Sequence, residues 1–290
     1  MGVMASLMEK LTPEDDIITS LRNPLIKRVR ALSRRDAREA EGVVVVEGLR
    51  AIVEAVRVGA GVETILYAPD RLRSPLAHET LARAQEQGVQ LVQAGATVLD
   101  ALSERDASQG AIAIVRRPQA TVEDIPATGS PLVIALSDPQ DPGNVGTIMR
   151  AADGAGAAAV AIIGKRGVDP FDPKAIRASM GSIFALPIVQ PGGSVEAVSA
   201  LRSRGLSLVG TSDKGAVELW GAPLAGPVAI LMGNERAGLA AEILEECDVV
   251  ARIPLAGHAD SLNVATAAAI FLFEAVRQRQ KASLRKGQDR

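Results

Sequence analysis

Leu132-Val133-Ile134-Ala135-Leu136, followed by Ser137 and then Asp138-Pro139-Gln140-Asp141-Pro142-Gly143-Asn144, decides the fold of this chain. An unbroken apolar run lacks the alternation of a strand with one wet face, so it predicts a strand covered on both sides, the kind from which parallel sheets are built. The prolines and glycine that follow predict a tight loop, with a helix from near Val145. Ligands of open α/β sheets bind just beyond the carboxyl ends of strands, so this loop is a favoured place for chemistry. Asn144 and Arg150 stand six positions apart, and the loop-to-helix geometry is expected to bring both to one cleft. The plainer alternative is a capping Asn and a surface Arg.

Downstream, helical and strand-like segments alternate through 145–155, 158–163, 173–181, 195–203, 206–210, 228–232, 238–244, 249–253 and 262–281. This alternation predicts a mostly parallel sheet with helices on both faces. Upstream, Val43 to Val46, Thr64 to Tyr67, Val89 to Val92 and Ala111 to Val115 read as strands, and 49–58 and 76–87 as helices. A further helix is expected after Asn23, with Pro24 at its first position and Leu25, Val29 and Leu32 on one face. Between the two units, Arg117 to Pro131 carries three prolines and no periodicity. The expected organisation is a leader over 1–16, a first α/β domain over 17–116, a linker over 117–130 and a second α/β domain over 131–290.

Aromatic residues are only 2% of the 290 residues, so the core must be built from Ala, Val, Ile and Leu, which suit close helix-on-sheet packing. The single cysteine, Cys247, forms no internal disulfide, and with only two histidines, His78 and His258, a zinc site is not expected. No apolar run approaches the ~20 residues that span a bilayer. Met1 to Thr12 lacks the pattern of a signal peptide. A cytoplasmic protein without a membrane partner is therefore expected. The net charge of −2 argues against a globally basic coat but leaves local basic patches open. One is evident: Arg22, Lys27, Arg28, Arg30, Arg34, Arg35 and Arg38 crowd one short segment. Lys27, Arg30, Arg34 and Arg38 recur at helical steps and would form a stripe matched to a phosphate backbone. A solvated helix face is the alternative.

Two more segments resemble ligand-binding strand ends. Ile230 to Leu239 runs from a buried strand through Gly233-Asn234-Glu235, where glycine permits close backbone approach to a ligand. Ile253 to Val264 links a strand to the terminal helix and contains His258, Ser261 and Asn263; either Ser261 or Asn263 would also serve as an N-cap. A decoy, Gly154-Ala155-Gly156-Ala157-Ala158-Ala159, has the spacing of a dinucleotide fingerprint. That fingerprint must follow a strand and open a helix. Here it ends a helix and precedes a strand, so a nicotinamide dehydrogenase is excluded.

Taken in order, N-x-G-x-x-x-R (Asn144 to Arg150), G-N-E-x-x-G-L (Gly233 to Leu239) and I-P-x-x-G-x-x-x-S-L-N-V (Ile253 to Val264) resemble the three motifs of the SpoU (TrmH-type) branch of the SPOUT RNA methyltransferases. Ala178 to Ser182, with Pro187, resembles the middle loop of that family. Ser20 to Pro24 with Lys27, then Arg38-Glu39 and Val45 to Gly48, resemble its N-terminal substrate-binding domain. Leu255, Ala265 and Arg236 depart from residues common in the family, which bears on the substrate subclass.

The resemblance implies a small N-terminal ribosomal-protein-like α/β domain and a C-terminal α/β domain with a trefoil knot. It implies S-adenosylmethionine (AdoMet) as methyl donor, with contacts from Gly233, Ile253 and Leu262 largely through backbone, and no metal. It implies RNA, rRNA (23S above all) or tRNA, as substrate, a ribose 2′-hydroxyl as acceptor, and a homodimer with the active site near the interface. Arg150 would act at the reacting oxygen, with Asn144, Glu235, Ser261 and Asn263 orienting groups around it. Arg22, Lys27, Arg30, Arg34 and Arg38 would contact RNA. Two alternatives remain: a non-catalytic RNA-binding protein on this scaffold, and a base methyltransferase from another SPOUT branch.

Overall fold

The computed structural model describes residues 17–103 and 108–288, without the side chains of 285–288; the expected leader over 1–16 lies outside them. The chain divides into two compact units: Met1–Arg117 together with Phe171–Phe184, and Pro118–Pro170 together with Ala185–Arg290.

The first unit contains α1 (Pro24–Ala31), α2 (Arg35–Glu41), β1 (Val43–Glu47), α3 (Leu49–Val58), β2 (Val62–Tyr67), α4 (Pro75–Glu86), β3 (Gln90–Gln93), α5 (Ala96–Asp100) and β4 (Ala111–Arg116). Its sheet has the order β1-β4-β2-β3, antiparallel at β1–β4 and β2–β4 and parallel at β2–β3. Asn23 caps α1 as expected, its Oδ1 accepting from the Leu25 N–H at 2.8 Å. The buried face of this segment is Ile26, Val29 and Leu32, with Leu25 only half-buried. The helix stops at Ala31 and a second one starts at Arg35, with Arg34 extended between them. A single helical stripe from Lys27 to Arg38 therefore does not form.

Phe171–Phe184 lies within the apparent second half of the sequence yet packs in the first unit. Its short helix, Pro173–Ser179, is introduced by Asp172, whose side chain accepts from the Lys174 N–H at 2.9 Å. That helix packs on β1 and α3. It ends at Met180 and Gly181, both left-handed (φ 54° and 100°), and a Cβ on Gly181 would meet the Glu54 Cβ at 2.6 Å. Only glycine lets this turn close on α3.

The second unit contains β5 (Leu132–Ser137), α6 (Pro142–Gly154), β6 (Ala159–Ile163), then, beyond the excursion whose helix is α7 (Pro173–Ser179), β7 (Ile188–Gly192), α8 (Ser194–Ser203), β8 (Ser207–Thr211), β9 (Val217–Glu218), β10 (Val228–Met232), α9 (Ala241–Glu245), β11 (Val249–Arg252) and α10 (Val264–Gln288). Its seven strands have the order β7-β6-β5-β10-β8-β11-β9, and every pairing is parallel. β5, β6 and β10 are buried at every position, as their unbroken apolar runs require. Val133, Ala135, Ala161, Leu208, Ala229 and Leu231 pack into one core whose small residues admit the covering helices closely. β7 and β9 have no clear sequence signal. β7 carries Pro191, which an edge strand tolerates, and β9 is two residues long. Because the sheet is parallel, the loops after β5, β8, β10 and β11 all leave from one edge.

Candidate active site

At that edge the three motif segments meet. Asp141, rather than Asn144, caps α6: its Oδ1 accepts from the Gly143 and Asn144 N–H groups at 2.6 and 3.2 Å. The helix thus starts at Pro142, earlier than expected, and the Asn144 side chain is free for other partners. Its Nδ2 donates to Glu235 Oε1 at 3.0 Å. Its Oδ1 accepts from Asn263 Nδ2 at 3.2 Å.

The direction of this chain is set by a second cap. Asn263 Oδ1 accepts from the Ala265 N–H at 2.8 Å and the Thr266 N–H at 3.4 Å, so its amide NH2 must face Asn144. Asn144 then presents its oxygen to Asn263 and its NH2 to the carboxylate. Glu235 also accepts from the Gln140 N–H at 3.1 Å. Burial opposes ionisation of Glu235 and is the largest influence on it, but donation from Asn144 and from backbone N–H groups outweighs it and holds the carboxyl below its ordinary range.

Gly233 to Gly238 is a tight turn, not a helix start. The Asn234 N–H donates to the Gly238 carbonyl at 3.1 Å and the Gly238 N–H returns a bond at 2.9 Å. Asn234 Oδ1 accepts from the N–H groups of Arg236 and Ala237 at 2.8 and 2.9 Å. A Cβ on Gly233 would overlap the backbone of Gly238 and Leu239, so the glycine serves the turn itself. Glu235 therefore does not stand at a helix N-terminus, since α9 begins only at Ala241.

Beside the hydrogen-bonded chain lies a cavity of about 410 Å³. Gly233, Ile253, Leu262, Glu235, Ser261 and Asn263 line it, together with Met232 and Phe271. Thr211, Ser212 and Asp213 also line it. These three belong to none of the sequence motifs, although the rule of ligands at strand ends, applied to the strand ending at 210, points to them. Thr211 Oγ1 donates to the Leu231 carbonyl at 2.9 Å, tying β8 to β10 at the rim. Arg150 does not join them. It is exposed on α6 and is not among the residues lining the cavity, because six helical steps turn it about 120° from Asn144. Asn144 does not line the cavity either and meets it only through its bonds to Glu235 and Asn263, so the cavity does not bring the two residues together within one chain. His258 is exposed and likewise outside the lining. Among the described residues no group of three or more His, Cys, Asp or Glu is placed to hold a metal ion.

In the first unit, Arg22, Lys27 and Arg30 are exposed. Arg34 is exposed and ion-paired with Asp36. Arg38, expected on the RNA face, is 2% exposed and donates to the carbonyls of Leu32 and Ser33 at 3.1 and 2.6 Å. Its charge closes the turn between α1 and α2 and is not offered to a ligand. Arg28 is engaged by Glu41 and Glu63 at 2.7 and 3.1 Å.

Residues 131–273 match the SpoU rRNA Methylase family, and residues 23–113 match an MRM3-like substrate binding domain. A 23S rRNA (uridine(2479)-2′-O)-methyltransferase of Streptomyces viridochromogenes is 36% identical over 95% of this chain and 97% of its own length. The 23S rRNA (guanosine(2553)-2′-O)-methyltransferase RlmP of Bacillus subtilis is 32% identical over 88% of this chain and 97% of its own. Among solved structures, an AdoMet-bound rRNA methyltransferase from Sinorhizobium meliloti superposes with a TM-score of 0.80 at 35% identity, covering 90% of this chain and 97% of the other. The SpoU methyltransferase AviRb from Streptomyces viridochromogenes does so with a TM-score of 0.81 at 33% identity, covering 90% and 99%.

Proposed function

The chain belongs to the SpoU rRNA methylase family, and on that premise we propose that it transfers a methyl group from AdoMet to a ribose 2′-hydroxyl of ribosomal RNA, with 23S rRNA as the substrate. The observation that carries this reading is the Asn263–Asn144–Glu235 chain, which joins three distant segments beside one cavity.

The cavity suits AdoMet. Its volume of about 410 Å³ falls in the range of small-molecule sites. Met232, Leu262 and Phe271 offer apolar surface, while Asp213 and Ser261 offer polar groups at its wall. Gly233, Ile253 and Leu262 are the residues we assign to hold the cofactor. Bound there, AdoMet supplies a methyl group already activated by the sulfonium, so alignment supplies much of the rate. Asn144, Glu235, Ser261 and Asn263 orient the reactants around it.

Arg150 is the residue we assign to the reacting oxygen. Its planar guanidinium can hold phosphate and stabilise negative charge developing at the oxygen, while the hydroxyl proton passes to solvent as the methyl group is transferred. Because Arg150 is exposed on α6 and outside the cavity lining, we assign the active form to a homodimer, in which a second copy brings that helix face to a cleft. The same reading includes a trefoil knot in the domain over 131–290, a linker over 117–130, an RNA-binding role for the domain over 17–116 through Lys27 and Arg30, and a cytoplasmic site of action. No helix among the described residues is long and apolar enough to cross a membrane.

The test is incubation of the protein with AdoMet and either 23S rRNA or tRNA, followed by mass analysis of the nucleosides. A 2′-O-methylated nucleoside from 23S rRNA is expected. A base-methylated product, or AdoMet binding without any methylated RNA, would overturn the reading in favour of a base methyltransferase or an RNA-binding protein.

A further inference from the structure

We propose that Lys165 and Arg166 form a phosphate-binding site for the RNA substrate on the rim of the catalytic cluster; the proposal rests on the RNA-methylating reading above. Both side chains are exposed, and among the described residues neither makes an ion pair. They stand on the loop after β6, at the same sheet edge as the motifs, because β6 is parallel to β5.

The loop is bound at several points to the loop after β5 that leads into the first motif. The Arg166 N–H donates to Asp138 Oδ1 at 2.8 Å. The Val168 N–H donates to the Pro139 carbonyl, and the Asp138 N–H to the Ile163 carbonyl, each at 2.8 Å. Asp138 itself is left-handed, at φ 43°, a conformation that Asp tolerates better than most residues. Its carboxylate fills the space where a Cβ on Gly164 would stand, and a Cβ on Gly167 would lie 2.8 Å from the Pro139 Cδ. Both glycines are therefore required for the loop to lie this close.

The Asp138 carboxylate faces the loop's backbone. It accepts from the Arg166 backbone N–H rather than from the Arg166 guanidinium. The two cations remain available to an outside anion. Their distance from the chemistry is bounded by the same chain of contacts: Gln140, two residues after Asp138, donates its N–H to Glu235. With ~3.8 Å between successive Cα atoms, the Arg166 backbone lies within about 15 Å of the Glu235 carboxylate. That span is a few nucleotides of RNA. A loop held in place adds no backbone ordering cost on binding, although the two side chains still lose rotamer freedom, and exposed cations gain from phosphate only what salt does not screen.

The experiment measures binding of a 23S rRNA fragment over a range of salt for the full-length protein and for Lys165→Ala/Arg166→Ala. The log–log salt slope of the variant should be shallower by about 0.7–0.9 per phosphate engaged, and so by about 1.4–1.8 for the pair. AdoMet affinity should stay at the wild-type value. Lys165→Arg/Arg166→Lys, which keeps both charges, should keep the wild-type slope. A wild-type slope in the alanine variant would overturn this proposal alone. A wild-type protein that binds no RNA would overturn it together with the functional reading.

Discussion

The motif cluster of the second unit and the basic segment of the first are comparable patterns of spaced polar residues in the sequence, and the structure treats them in opposite ways. Asn144, Glu235 and Asn263 lie far apart in sequence yet form one hydrogen-bonded chain. Lys27, Arg30, Arg34 and Arg38 lie close together with helical spacing, yet form no common face. The first pattern is held by backbone: strand ends on a parallel sheet, a tight turn and two helix caps. The second requires one helix to continue through Ser33 and Arg34, and it does not. Residues placed by topology survive the passage from sequence to structure better than residues placed by periodicity alone.

Arg150 offers the largest test of the contrast, because it belongs to the motif pattern but neither lines the cavity nor joins the hydrogen-bonded chain. Arg150→Ala should fold normally, since the side chain is exposed, and should bind AdoMet as the wild type does. Single-turnover methylation at saturating AdoMet and RNA should fall by ~100-fold or more, the scale of one electrostatic or acid–base group. Arg150→Lys should recover little, as a point charge lacks the planar fork of the guanidinium. A near-normal rate for the alanine variant would remove Arg150 from the chemistry.

Asn144→Ala breaks the chain at its centre, and the same single-turnover assay should show a loss on the order of 10–100-fold through misplacement of the reacting groups. It should also change the response to acid. Glu235 is held below its ordinary pKa, so its contribution to stability is present above the unfolded-state value and is lost as pH falls through the folded one. Without the Asn144 donor the folded value rises, and that loss should begin at higher pH. Identical acid-unfolding curves for the variant and the wild type would show that the Asn144–Glu235 bond is not formed in solution.

Gly233→Val probes the turn that supports the cavity. The added side chain would overlap Gly238 and Leu239, so AdoMet affinity, measured by calorimetry, should drop by about 10-fold or more, equivalent to ~1.4 kcal/mol. Unchanged affinity in a folded variant would remove Gly233 from the cofactor site.

Much of this is legible from residue order. The apolar runs of β5 and β10, the Asn23 and Pro24 start of α1, and the segments containing Gly233 and Asn263 carry local chemistry that only a few conformations satisfy. Other features are not legible. Asp141 and Asn144 are both good capping residues, and only the fold decides between them. The packing of Phe171–Phe184 in the first unit depends on contacts with β1 and α3 that no local pattern encodes. Thr211 closes β8 and Asp213 follows it, between Gly210 and Gly215, with no motif that marks them as ligand-binding.

The smallest expected effect separates the two kinds of basic residue within the first unit. Lys27 and Arg30 are exposed on α1, whereas Arg38 is buried and spends its guanidinium on the carbonyls of Leu32 and Ser33. Lys27→Ala/Arg30→Ala should leave thermal stability nearly unchanged and reduce the log–log salt slope of RNA binding by about 0.7–0.9 for each phosphate that is no longer engaged. Arg38→Ala should do the reverse. It removes charge-assisted hydrogen bonds from a buried turn, which should cost at most ~1.5–3 kcal/mol of stability for each bond removed, read from urea unfolding of the folded variant. Its salt slope, measured where the protein remains folded, should match the wild type, since no phosphate reaches a side chain closed over by its own backbone. A reduced slope for Arg38→Ala with unchanged stability would mean that the guanidinium leaves the turn to meet RNA, and the distinction drawn between the two regions would fail at that residue.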